Sequence, residues 1–156
     1  MSPHNDVSDS RYVASQYGSP TNLEIRIRLH QRYSVNAYGW QRWVFDQLDL
    51  DRFERVLELG CGTAELWREN AGRVPGSPAP HLTDLSIGML RQAREATAAL
   101  QPAFSVANVE TIPFPDRSHD LVVANHMLYH VADRRKALGE IRRVLTADGV
   151  FCAATI

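Results

Sequence analysis

The stretch "VLELGCGTAELW", Val56 to Trp67, decides the fold. A run of strand-forming residues stops at two glycines that bracket a cysteine, and helix-compatible residues follow. Gly60 and Gly62 serve a tight turn, or they clear room for a ligand against the backbone, since glycine tolerates unusual dihedrals and close approach.

Outward from this stretch, strands and helices alternate. "RVLEL" (55–59) reads as a buried strand followed by a helix near 63–72, and "HLTD" (81–84) as a second, short strand. "SIGMLRQAREATAAL" has helical periodicity with Ser86 as N-cap. "AFSVA" (103–107) and "DLVVAN" (120–125) give the third and fourth strands, a helix runs from about Asp133 to Leu145, and "GVFCAATI" (149–156) is the fifth strand. This order predicts an α/β, Rossmann-like, doubly wound and mostly parallel sheet of at least five strands. Such sheets bind ligands beyond the carboxyl ends of their strands, so the residues just after each strand carry the functional information.

Upstream, "NLEIRIRLHQRYS" and "NAYGWQRWVFDQLDL" show helical spacing. The reading divides the chain into a flexible segment at 1–18, a helical cap at 19–50 and a core at 51–156.

The chemistry of the first loop narrows the ligand. A phosphate-binding GxxxxGK[ST] loop is absent, and a dinucleotide fingerprint would need glycine where this chain has Glu65. Glu58, two residues before the first glycine, is a poor neighbour for a pyrophosphate and suits a ligand with a cationic end.

Four segments, in order, resemble the motifs of class I S-adenosylmethionine-dependent methyltransferases of the small-molecule group. They are "VLELGCGTAELW", "HLTDLSIGMLRQAR", "FSVANVETIPFPDRSHDLVVANHMLYHV" and "ALGEIRRVLTADGVF". The resemblance covers Arg55 to Phe151, and the 19–50 segment is similar to the N-terminal helical cap of that group. It implies S-adenosylmethionine as cofactor, a small-molecule acceptor and S-adenosylhomocysteine as product. Glu58, Gly60, Cys61 and Gly62 would line the methionine part of the cofactor, Glu58 favouring its amino group; Glu58 as a helix-facing charge is the alternative. Cys61 would contribute backbone rather than thiol chemistry.

By the same likeness Asp84 would accept the ribose hydroxyls, or else cap the next helix. Leu85 and Met89 would pack on adenine or ribose, with Met89 equally readable as core. Relatives often carry Gly-Asp where this chain has Ala107-Asn108, and Asn108 can accept from the adenine amino group without charge, with Val109 donating its backbone N–H. Ala64 stands where relatives often have glycine. Asn125 would face the transferred methyl group. His126 and His130 are candidate substrate-facing residues that could move a proton, with structural packing as the competing role. Tyr17 is a candidate cofactor contact from the aromatic-rich cap.

Composition excludes several other classes. Seventeen basic residues, of which Lys136 alone is lysine, against eighteen acidic ones give a net charge of −1, so no global field attracts nucleic acid or a membrane surface. The predominance of arginine points to a GC-rich bacterial genome. No signal-peptide pattern opens the sequence, and two cysteines without metal spacing predict a reducing cytoplasm and no metal site. The family sheet usually continues beyond five strands. The apolar "GVFCAATI" therefore suggests a shortened form, or a homodimer or swapped partner that covers the strand-five edge. A cofactor-binding module without a complete acceptor pocket is the competing function, and a nicotinamide-dependent oxidoreductase a third.

Overall fold

A computed structural model of the chain describes Ile25 and residues 32–74 and 79–155. The 1–18 segment with Tyr17, and most of the first expected cap helix, lie outside the described residues.

Five strands form one sheet: β1 (Val56–Leu59), β2 (His81–Asp84), β3 (Ala103–Val106), β4 (His119–Asn125) and β5 (Leu145–Ala154). All neighbours are parallel, and the order across the sheet is β3-β2-β1-β4-β5. Among the described residues, the helices that pack on it include α1 (Trp40–Leu48), α2 (Glu65–Glu69), α3 (Ile87–Ala96) and α4 (Arg134–Val144).

The central strand β1 is buried on both faces, as a strand of a parallel sheet covered by helices must be. Side chains alternate across a strand, and the packing divides accordingly. Val56, Leu82, Leu121 and Val123 meet Val44, Phe45 and Leu48 of α1, Leu66 and Trp67 of α2, and Leu90 and Ala93 of α3. On the opposite face Leu57, Leu59, Val122 and Ala124 meet Ala137, Ile141 and Val144 of α4 together with Val109 and Ile112. Each fully buried Leu or Val contributes about 1.5–3 kcal/mol relative to exposure.

The expected helix at 63–72 is a single α-turn at α2 followed by a 3-10 turn at Ala71–Arg73. Strand β5 begins at Leu145 rather than residue 149. Leu145 pairs with His119, and the register then shifts before Val150 pairs with Leu121. The "TADG" segment, which reads as a turn, lies inside this irregular stretch of β5. Gly149 belongs there because a Cβ would come within 2.8 Å of Leu145 Cδ2 and 3.1 Å of the Thr146 backbone nitrogen.

Candidate functional site

Register and alternation gather three polar side chains. Glu58 pairs with Leu82 on β2 and with Val123 on β4. Asp84 lies two residues beyond Leu82 and Asn125 two beyond Val123, so all three point to the face covered by α1, α2 and α3. They stand at the carboxyl ends of three adjacent strands, beside the glycine turn.

That turn is built by backbone geometry. Gly60 and Gly62 have φ of 66° and 55°, and Ala64 takes the left-handed conformation at φ 60°. At Gly60 a Cβ would also meet Met127 Cβ at 2.8 Å, so conformation and space both demand glycine. The Cys61 N–H donates to the Thr83 carbonyl at 2.9 Å, and the Cys61 carbonyl accepts from Ala64 at 2.9 Å. The thiol adds only a weak, long hydrogen bond to the Gly62 carbonyl at 3.6 Å. Burial, reinforced by Glu58 and Asp84, pushes its pKa well up, which keeps it protonated and poorly nucleophilic.

Asp84 joins the first two loops. Oδ2 accepts from the Gly62 N–H at 2.9 Å and Oδ1 from the Ser86 N–H at 2.8 Å. A carboxylate offers about four acceptor sites, so Asp84 retains acceptor capacity for a ligand hydroxyl. Burial raises the Asp84 pKa, and N–H donors from Ser86, Gly62 and Leu85 hold it back. Asp84 thus also steadies the entry to α3, while Ser86 Oγ accepts from the Met89 N–H at 3.4 Å as N-cap.

Glu58 is 3% exposed and lies beneath the turn, where Trp67 Nε1–H donates to Oε2 at 2.5 Å. Burial lifts its pKa to about 7; the Trp67 N–H opposes the rise, Asp84 adds to it, and Asn125 opposes it. Asn125 is close enough to favour the anion, yet neither of its buried amide atoms has a hydrogen-bond partner. A buried amide left unpaired is costly.

The remaining expected residues are distributed around this centre. Leu85 is half exposed, whereas Met89 is 1% exposed on the inner side of α3. Asn108 is exposed and its Oδ1 accepts from the Glu110 N–H at 2.9 Å, leaving one lone pair; Val109 beside it is buried. His126 has φ 52°, donates its N–H to the Ala154 carbonyl at 2.8 Å, and packs its ring 5.1 Å from that of Trp40. His130 closes a 3-10 turn, its ring 4.2 Å from that of Tyr129. The structure therefore brings Glu58, Asp84, Asn125 and the glycine turn together and leaves Met89 within the core.

Two participants escape sequence reading. Trp67 and Met127 matter through contacts with Glu58 and Gly60 that depend on how α2 and the β4–α4 connection dock. The one available signal is a tryptophan in the first turn after a strand that carries a buried acid. Among the described residues no group of three or more His, Cys, Asp or Glu could hold a metal ion, and no helix is long and apolar enough to cross a membrane.

The methyltransferase domain family matches residues 57–153, and the chain belongs to it, among the class I S-adenosylmethionine-dependent methyltransferases. The chain is 32% identical over 114 residues to the ubiquinone/menaquinone biosynthesis C-methyltransferase UbiE of Cronobacter sakazakii, covering 70% of this chain and 45% of the relative. It is 38% identical over 101 residues to the malonyl-[acyl-carrier protein] O-methyltransferase of Geobacter sulfurreducens, covering 64% of this chain and 38% of that one. The structure of an S-adenosylmethionine-dependent methyltransferase from Thermotoga maritima shares the fold, with a TM-score of 0.67, 21% identity, and coverage of 90% of this chain and 60% of that one. The chain spans less than half the length of these two curated relatives.

Proposed function

We propose that the chain binds S-adenosylmethionine across the carboxyl ends of β2, β1 and β4 and transfers its methyl group to a small-molecule acceptor, releasing S-adenosylhomocysteine. The observation that carries this reading is the convergence of Glu58, Asp84 and Asn125 on one face beside the Gly60–Gly62 turn. Asp84 keeps acceptor capacity for a ribose hydroxyl. Glu58 supplies negative charge for the donor's ammonium group, and Asn125 an amide that needs a partner. Asn108 and the Val109 N–H receive the adenine edge, Leu85 flanks it, and Met89 supports it from the core. Cys61 holds the turn through its backbone, and Tyr17 is a candidate donor contact.

The transferred methyl is already activated on a sulfonium, so the protein's task is alignment and exclusion of water. Proximity and orientation supply about 7–11 kcal/mol of such a barrier. His126 and His130, following Asn125 at the end of β4, are the acceptor-facing residues of this proposal. The two relatives are named as a C- and an O-methyltransferase, so they do not narrow the atom that this chain would methylate. The outer edge of β5, with Val150 40% exposed, is the surface on which a second copy would pair; light scattering that shows only monomer at high concentration would remove it.

A second reading is a donor-binding module without turnover. Calorimetry with S-adenosylmethionine, followed by a donor-consumption assay over small phenols, amines and carboxylic acids, separates the two. Binding with turnover supports the enzyme, binding without turnover supports the module, and no binding at millimolar donor removes both.

A further inference from the structure

The Glu58–Trp67 pair has a chemistry that the proposed function does not yet use. Glu58 is a carboxylate in the centre of the sheet, 3% exposed, and Trp67 is fully buried. The groups that act on the charge of Glu58 are the Trp67 N–H from α2, the Asp84 carboxylate from β2 and the Asn125 amide from β4. From the turn itself, the Cys61 thiol also feels the Glu58 charge. None of these is a cation. The salt bridges among the described residues likewise leave Glu58 out.

A buried anion without a counter-charge takes up a proton instead. A single hydrogen bond from a neutral indole offsets that tendency without abolishing it. The indole is locked in turn: its ring packs edge-on against Phe45 of α1 at 6.4 Å, and its N–H has no better acceptor than Oε2 at 2.5 Å.

We propose that Trp67 is a positioning residue for the methyl donor: its indole N–H holds the Glu58 carboxylate beneath the glycine turn as counter-charge to the donor's ammonium group, so that donor loading drives a proton from Glu58. The inference rests on the donor-binding reading given above. The exchange balances: the protonated carboxyl gives its proton to solvent, and the incoming ammonium group supplies the missing positive charge. Because burial sets the empty carboxyl near pH 7, the exchange falls in the neutral range.

The test is calorimetry on the 156-residue chain at pH 6, 7 and 9, each in two buffers of different ionisation enthalpy. The probes are S-adenosylmethionine and 5′-methylthioadenosine, which keeps the adenosine and sulfur and lacks the amino acid. With S-adenosylmethionine the proton released should be close to one at pH 6 and somewhat under half at pH 7, and at pH 9, where the free donor's amino group is mostly neutral, binding should instead take up a proton. With 5′-methylthioadenosine it should be near zero throughout. Trp67→Phe keeps the ring and deletes the donor, so its affinity should fall at pH 6 and 7 and converge on the wild type at pH 9. An equal loss at every pH would make Trp67 merely structural and overturn the proposal. So would donor binding that releases no proton at pH 6, or equal release with both probes, and these two outcomes require no variant. Failure of the wild type to bind S-adenosylmethionine at all would instead overturn the donor-binding reading itself.

Discussion

Gly60 carries two constraints at once, a positive φ and the Met127 side chain at the place where a Cβ would sit. Gly60→Ala therefore strains the turn and pushes on Met127. We expect about 1–3 kcal/mol of lost stability in urea unfolding, with a larger proportional loss of S-adenosylmethionine affinity because the displaced turn also carries the Gly62 N–H to Asp84. Glu58 makes a different kind of prediction. Its folded pKa of about 7 lies above the ordinary 4.5, so the folded state binds the extra proton between these values. The resulting stability is fully present below about pH 4.5 and is lost as pH rises through 7, about 3 kcal/mol in all. Gln at this position keeps an acceptor for Trp67 and cannot ionise. Glu58→Gln should thus be more stable than the wild type at pH 8 and lose that advantage by pH 5, measured by chemical denaturation at each pH.

At the scale of elements, the two longest helices among the described residues are started by side chains that accept from the third residue on. Asp133 Oδ1 accepts from the Lys136 N–H at 2.9 Å, a better bond than the 3.4 Å of Ser86 to Met89. Asp133→Ala should cost about 1 kcal/mol and Ser86→Ala less, since Asp84 still holds the entry to α3; thermal unfolding of both variants checks the order. Much of this layer is legible from residues alone. "HLTD" and "DLVVAN" announce β2 and β4 by composition and flanking turns, and Ser86 announces its helix. The start of β5 is not legible, because Leu145 joins the sheet by pairing with His119 across a register shift, and no local signal marks that pairing. The same limit hides Trp67. The acid was readable as part of a motif, whereas its partner is selected only when α2 docks on β1.

At the scale of the whole molecule, the two ends of the sheet respond oppositely to acid. At the amino ends of β2 and β4, His81 and His119 flank Phe114 at ring distances of 4.6 and 5.0 Å. Burial, aided by His81 and Arg55 and opposed by Asp120, depresses the His119 pKa to about 4. The folded state holds it neutral while the unfolded chain would bind a proton near 6.5. Its stability contribution is complete above pH 6.5 and is lost as pH falls toward 4, again about 3 kcal/mol. Glu58, at the carboxyl ends, gains stability over nearly the same interval. The two oppose each other between about pH 4.5 and 6.5, so in the wild type each masks part of the other's slope. Glu58→Gln should expose the slope of His119, falling toward acid, and His119→Phe the slope of Glu58, falling toward neutrality. Parallel profiles for the two variants would contradict the placement of these charges.

The Met127 side chain, lodged where a Cβ on Gly60 would be, keys the loop after β1 to the loop after β4. Neither bend can be rebuilt alone: enlarging the one evicts the other. Sequence drift at these two positions must therefore proceed in concert, because the contact is with the Cβ of residue 127, which every residue but glycine carries.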